Sequence, residues 1–210
     1  MNAETPKAPT VQLPKYSEGP SDVTGDVSVR IRYVTYQTDQ GLVAGRNNND
    51  VFIIDKPAKD VWPYFKDFNV WQTGYGYHYT GVVGDLEGSA VRIVPINTPK
   101  DNNANETMLG TPYEVLKVVP EHLIILYQPP PEDGSTGGIS PGFHVFTLNE
   151  QAGKTVVTIF TSHASRAKDK TEEELLTPFR SGAEETLRKF RDSFIPALKK
   201  AVYDGKPVTK

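Results

Sequence analysis

The sequence predicts an α+β domain in which a long antiparallel sheet is followed by a long C-terminal helix. Between residues 75 and 162, short runs of alternating apolar and polar residues follow one another through turns, which is typical of an antiparallel meander. After residue 171, apolar residues recur at steps of three and four, which indicates an amphipathic helix. The 210 residues, 37% hydrophobic and 23% charged, suit one globular domain.

The composition excludes several classes of function. A formal net charge of −3 gives no basic surface for nucleic acid. No apolar run approaches the roughly 20 residues of a membrane-spanning helix. The chain has no cysteine, so disulfides and thiolate chemistry are excluded. Because the N-terminus carries no apolar segment of a secretory signal, we expect a cytoplasmic protein.

The first quarter of the chain combines an arm with ordered segments. Four prolines among small and polar residues predict a flexible arm over residues 1–27, ahead of a single domain over residues 28–205. The alternation in "VSVRIRYVTY" predicts a strand, whereas "GLVAGRNNND" is interpreted as a turn-rich connection. A β-type run at residues 51–54 then precedes a short helix.

Six strands, two long loops and the final helix complete the prediction. The loops "NTPKDNNANETMLG" and "PPPEDGSTGGISPG" are long enough to be lids over a pocket or surface insertions. Thr171 and Glu174 have the spacing of a capping box at the start of the helix. The strands are expected at residues 75–83, 89–94, 111–118, 121–128, 142–148 and 155–162. The apolar stripe of the helix consists of Phe179, Ala183, Leu187, Phe190, Phe194 and Leu198.

Three segments carry a family resemblance. "IIDKPAKDVWPYFKDFNVW" has an apolar strand, then Pro-Ala-x-x-Val-Trp, then an Asp-Phe-x-x-Trp turn. "GSAVRIV" has a Gly-x-x-x-Arg strand, and "YEVLKVVPEHLIILY" has paired strands around a Val-x-Pro turn. In this order they resemble the START-like (SRPBCC) superfamily and, within it, the polyketide cyclase/dehydrase-like group.

The resemblance implies a helix-grip fold, in which a curved antiparallel sheet wraps around a long C-terminal helix and encloses an apolar cavity. It also implies a hydrophobic ligand such as a lipid, a sterol or a polyketide. Some members of the superfamily catalyse cyclisation or dehydration in the cavity, others carry a ligand, and one branch assists a chaperone. The family shares no catalytic triad, so the function has to be argued from the site.

Tyr75, Tyr77 and Tyr79 occupy every second position, so they would stand in a row on one face of a strand. The row either lines the cavity, where a ligand oxygen would satisfy the hydroxyls, or belongs to a half-exposed strand. Tyr77, in the middle of the row, is the candidate to orient or protonate a ligand oxygen.

The four histidines lack the spacing of a metal site, so no metal is expected. If the last hairpin closes symmetrically around residues 152–153, His144 and His163 share a face with Phe146. His144 is then either an acid/base residue whose pKa is tuned by burial or a structural histidine.

The remaining candidates are one arginine and a set of aromatic residues. Arg92 either anchors a carboxylate or enolate at the cavity or faces solvent. No glycine-rich phosphate motif opens a helix, so no nucleotide cofactor is expected. The candidate ligand-binding residues are Trp71, Tyr75, Tyr79, Phe146, Phe160, Phe179 and Phe190.

Residues 142–162 are apolar on both faces of their strands, whereas a sheet open to water on one side should alternate. We therefore expect the outer face to be covered by the N-terminal segment or to form the interface of a homodimer.

Three functions follow from these observations. The first is a cofactor-free enzyme that acts on a hydrophobic, aromatic or polyketide-like molecule by cyclisation, dehydration, isomerisation or elimination. In that enzyme Tyr77 would position an oxygen, His144 would move a proton and Arg92 would stabilise negative charge. The second is a non-catalytic binding or transport protein for a hydrophobic ligand or lipid, and the third is a chaperone-activating module. The cyclase-like segments favour the enzyme.

Overall fold

The computed structural model describes residues 13–72, 77–95, 111–130 and 141–205. In these ranges one sheet contains β1 (Lys15–Thr24), β2 (Val27–Thr38), β3 (Gly41–Ile54), β4 (Tyr77–Tyr79), β5 (Ala90–Pro95), β6 (Thr111–Val119), β7 (Leu123–Gln128), β8 (Gly142–Gln151) and β9 (Lys154–Ala167). The strands lie in the order β1-β2-β3-β9-β8-β7-β6-β5-β4. All neighbouring strands are antiparallel.

The helices are α1 (Ala58–Phe65), α2 (Phe68–Trp71), α3 (Glu172–Ser181), α4 (Ala183–Lys189) and α5 (Ile195–Asp204). Gly182 separates α3 from α4, and a π-helical turn over Phe190–Phe194 joins α4 to α5. All six residues of the predicted apolar stripe are buried in the core. None of the described helices is long and apolar enough to cross a membrane.

This architecture confirms the predicted α+β helix-grip fold, with a large curved antiparallel sheet and a long C-terminal helical segment. The last hairpin closes as expected, because Gln151 pairs with Lys154. Between them Ala152 and Gly153 both have positive φ angles, of 52° and 76°. Two successive positive φ angles are the pattern of a type I′ hairpin turn.

The prediction of a turn at "GLVAGRNNND" is wrong, since this stretch lies within β3. β3 pairs along most of its length with β2 on one side and β9 on the other. Hydrogen bonding on both edges satisfies the backbone of this polar stretch, which outweighs the low strand propensity of glycine, asparagine and aspartate. The pleat then turns Arg46, Asn48 and Asp50 towards the helices.

The prediction of a flexible arm is wrong for residues 15–24, which form the edge strand β1 against β2. The pairing is irregular between Glu18 and Ser21, which flank Gly19 and Pro20. An edge strand tolerates a proline because one of its sides has no partner strand. Residues 1–12 and most of the two predicted lid loops lie outside the described residues.

The capping box offers a test of the helical boundary. The Thr171 hydroxyl accepts from the Glu174 backbone N–H at 3.3 Å, and the Glu174 carboxylate accepts from the Thr171 backbone N–H at 2.7 Å. We expect Thr171→Ala to lower the free energy of unfolding by about 1 kcal/mol in urea titrations. Thr177→Ala, in the middle of α3, is the control and should cause no such loss. Equal losses in the two variants would contradict the cap.

Candidate functional site

A cavity of about 510 Å³ lies between the inner face of the sheet and the C-terminal helical segment. Its size suits a small organic ligand. Much of its wall is aromatic and comes from β4, β6, β8 and the π-helical turn. The aromatic lining consists of Tyr77, Tyr79, Tyr113, Phe146, Phe190 and Phe194.

Polar side chains from four neighbouring strands form a band across the same cavity. The register brings them together: Arg46 on β3 lies opposite His163 on β9, and Asn48 lies opposite Thr161. Thr161 in turn lies opposite His144 on β8. We call Arg46, Asn48, Gln128, His144, Thr161 and His163 the polar band, and all six line the cavity.

His144 and His163 form an edge-to-face pair, with ring centroids 4.8 Å apart and planes at 88°. Burial, together with the neighbouring His163, lowers the pKa of His144 well below its usual value of 6.5. Burial and the charge of Arg46 lower the pKa of His163 to about 4. Both imidazoles are therefore neutral at pH 7.

Gly142 makes room for the histidine pair, because a Cβ there would lie 2.5 Å from His163 Nδ1.

Arg46 places a positive charge at the cavity although only 6% of the residue is exposed. Its Nη1 donates to the Phe179 carbonyl oxygen at 3.4 Å and, more weakly, to Thr186 Oγ1 at 3.5 Å. Because the Arg46 side chain lines the cavity, its guanidinium can contact an acidic oxygen of a bound molecule.

Asp50 continues the polar row of β3 into the core and is completely buried. Its cross-strand neighbours are the apolar Val29 and Ile159. Burial raises the pKa of the Asp50 carboxyl well above its usual value of 3.8, and the charge of Arg46 offsets this only in part. The protonated, uncharged form of Asp50 is therefore favoured.

Several buried polar atoms around the cavity have no hydrogen-bond partner among the described residues. They are Asn48 Oδ1, His144 Nε2, His163 Nδ1 and both carboxyl oxygens of Asp50. Each such group costs roughly 1–3 kcal/mol when it is buried without a partner. A bound molecule that offers hydrogen-bond donors would remove part of this cost.

Two cavity tyrosines are already satisfied within the protein. The Tyr79 hydroxyl donates to Gln72 Oε1 at 2.6 Å, and the Tyr113 hydroxyl donates to Gln128 Oε1 at 2.8 Å. The Tyr113 ring also lies edge-on to the His144 ring at 5.1 Å. These hydroxyls therefore order the wall, and the unpartnered atoms lie on β3, β8 and β9 instead.

The structure brings five of the predicted site residues together at the cavity: Tyr77, Tyr79, His144, Phe146 and Phe190. Tyr77 is 42% exposed, which places it at the rim. The roles predicted for these residues stay predictions. Tyr75 lies outside the described residues.

Four predicted site residues do not line the cavity. Arg92 lies between the buried Val91 and the cavity-lining Ile93, so the pleat turns it to the opposite face and it does not reach the cavity. Phe160 also lies on the outer face of the sheet. Trp71 and Phe179 are 1% exposed and belong to the core behind the wall. The prediction that these four residues contact a ligand in the cavity is therefore wrong, because their side chains do not reach the cavity.

The sequence patterns do not predict that Arg46, Asn48 and Asp50 lie at the site. Their spacing of two was visible in "RNNND", and it is the signal of a strand with one polar face. Glycine and asparagine are also the common residues of turns, so the same stretch predicts a turn when it is considered without its partner strands.

No family model matches the sequence, and no curated protein matches it. Solved structures resemble it in fold at low sequence identity. A protein of unknown function from Staphylococcus aureus has a TM-score of 0.50 at 7% identity, over 76% of this chain and 95% of that chain. A protein from Arthrobacter aurescens has a TM-score of 0.50 at 12% identity, over 75% and 86%. Norcoclaurine synthase from Thalictrum flavum has a TM-score of 0.45 at 11% identity, over 77% and 88%.

The sheet, the C-terminal helical segment and the cavity between them form the helix-grip fold described above. Likeness at these identities concerns the fold alone. The function has to be argued from the cavity.

The pKa of His163 predicts how stability depends on pH. Between pH 6.5 and about 4 the unfolded chain binds a proton at His163 and the folded protein does not, so stability falls as the pH is lowered through this window. The loss reaches about 3 kcal/mol at most. We expect His163→Gln to show a shallower fall in urea titrations, while the exposed control His122→Gln keeps the wild-type profile. An unchanged slope in His163→Gln would contradict the buried neutral imidazole.

The raised pKa of Asp50 predicts the opposite dependence of stability on pH. As the pH rises above 3.8 the unfolded chain loses a proton that the folded protein retains, so Asp50 costs stability at higher pH. We expect the free energy of unfolding of Asp50→Asn, relative to wild type, to increase between pH 4 and pH 7. A difference that is constant with pH would show that Asp50 is ionised in the folded protein.

Proposed function

We propose that the protein binds an oxygen-bearing aromatic molecule in the cavity and catalyses proton transfer on it without a cofactor. The observation that carries the proposal is the set of unpartnered polar atoms, Asn48 Oδ1, His144 Nε2 and His163 Nδ1, within a largely aromatic wall. An apolar body would fill the aromatic part, and hydroxyl or enol groups would donate to these atoms.

The charge of the cavity narrows the ligand class. Arg46 favours one oxygen that is acidic or becomes negative during the reaction, such as a phenol or an enolised ketone. Both imidazoles are neutral, so each offers one nitrogen as an acceptor. A polyketide-like phenol or enol meets these requirements. The three sequence segments that resemble the polyketide cyclase/dehydrase-like group favour the same class.

The proposed chemistry assigns one step to each polar side chain. His144 takes a proton from the carbon beside a ligand carbonyl, and the electron pair moves to the carbonyl oxygen as an enolate. Arg46 stabilises the negative oxygen. In a dehydration, the His144 imidazolium then gives the proton to a leaving hydroxyl, a carbon–carbon double bond forms, and water departs. Arg46 thus takes the role that the sequence had assigned to Arg92.

A carrier without catalysis is the second candidate, and one observation favours it. The pKa values of both histidines are lowered below neutrality, and a base with a low pKa removes a proton less readily at pH 7. A carrier needs these residues only for hydrogen bonds and keeps the same ligand class.

One experiment separates these functions. The protein is incubated with a pool of phenols, enolisable aromatic ketones and matched hydrocarbons that lack oxygen. Native mass spectrometry identifies what is retained, and chromatography with mass detection follows the free compounds. We expect oxygen-bearing compounds to be retained and hydrocarbons of the same size to be lost.

The same assay with variants identifies a reaction. We expect His144→Gln to retain the compound and to abolish its conversion, and the exposed His122→Gln to behave as wild type. A compound that is retained unchanged by the wild type would point to the carrier. Equal retention of the hydrocarbons would contradict the role of the polar band.

A further inference from the structure

A second concavity, of about 320 Å³, lies on the outer face of the sheet. We call it the outer groove, and its lining consists of Tyr16, Arg30, Arg32, Asn47, Asn49 and Phe160. The lining positions on β3 and β9 alternate with those of the polar band. The full thickness of the sheet therefore separates the outer groove from the cavity.

Among the described residues, the lining of the outer groove includes the positive charges of Arg30 and Arg32 and no carboxylate of its own. Arg30 and Arg32 are exposed and lie two residues apart on β2, about 7 Å between their Cα atoms. Arg32 Nε lies 3.0 Å from a carboxylate oxygen of Glu18, and both side chains are more than half exposed. An ion pair this exposed contributes little to stability, so an incoming carboxylate can replace Glu18 at little cost.

The other groups in the lining suit a ligand that carries an aromatic ring and a hydrogen-bond donor. Asn47 and Asn49 lie directly opposite Arg32 and Arg30. Asn47 Oδ1 is shielded from solvent and has no hydrogen-bond partner among the described residues, so it requires a donor. The rings of Tyr16 and Phe160 provide apolar surface beside these polar groups.

We propose that the outer groove is a second binding site, for a small aromatic carboxylate that also carries a hydrogen-bond donor. The carboxylate binds Arg30 and Arg32, the donor binds Asn47 Oδ1, and the ring packs against Phe160 and Tyr16. This site goes beyond the cavity function and does not depend on it.

The test uses 6-hydroxy-2-naphthoate, which has a carboxylate, a fused ring and a hydroxyl donor, and its neutral analogue 6-hydroxy-2-naphthamide. Binding is measured by isothermal titration calorimetry at low salt. The site is identified with the double variant Arg30→Gln/Arg32→Gln. A remote exposed arginine provides the control Arg188→Gln, and His144→Gln alters the cavity alone.

We expect the double variant to lose one binding event or to bind it about tenfold more weakly, because two charge-assisted contacts are removed. Arg188→Gln and His144→Gln should retain that event, and the amide should lack it. Thermal unfolding checks that the double variant is folded. The proposal is overturned if that event survives in the folded double variant, if the amide shows the same event equally, or if the wild type shows no binding. Loss of the event in His144→Gln alone would assign it to the cavity and would also overturn it.

Discussion

The placement of β3 inside the sheet is the constraint on which the site depends. β3 is hydrogen-bonded to β2 and β9, so its side chains alternate strictly between the cavity side and the outer side. Arg46, Asn48 and Asp50 consequently enter the interior at consecutive inward positions. A shift of one residue in this register would exchange them for Asn47 and Asn49 and would place apolar residues in water.

The buried charge of Arg46 sets the electrostatics around it. It helps to keep His163 neutral and partly counteracts the protonation of Asp50. An anionic oxygen bound beside Arg46 would weaken its effect on His163 and would raise the pKa of that imidazole. Binding and proton affinity are thus coupled in this cavity, and a neutral histidine in the unliganded protein is compatible with a proton-transfer role in the complex.

Much of the architecture followed from periodicity in the sequence. The capping box at Thr171, the apolar stripe of the helix and most of the predicted strands are local patterns, and the structure confirms them. In the described part of the strand predicted over residues 75–83, only Tyr77–Tyr79 is a strand, and a 3-10 helix begins at Val83. The pairing of His144 and His163 on one face also followed, because a two-residue turn fixes the register of a hairpin. Contacts between strands distant in sequence did not follow. Nothing local reveals that β9 lies beside β3, so Arg46 could not be placed opposite His163.

The site residues that were predicted wrongly also depend on tertiary contacts that the local sequence does not show. Arg92 and Phe160 belong to strands that were predicted, and only the choice of the inward face was wrong. The inward face of a strand depends on whether its odd-numbered or its even-numbered residues meet the helix. In β9 both sets are partly apolar, so composition does not decide between the two faces. Trp71 and Phe179 are predicted to contact a ligand, but a sequence does not distinguish a cavity wall from the core behind it.

The most direct test is the structure of the protein with a phenolic or enolic compound retained from the pool. We expect the ring to lie between Phe146 and Phe190. The ligand oxygens should lie within hydrogen-bond distance of Asn48, His144 or His163, with the most acidic oxygen near Arg46. A compound that occupies the cavity without contacting the polar band, or that binds elsewhere on the protein and leaves the cavity unfilled, would contradict it.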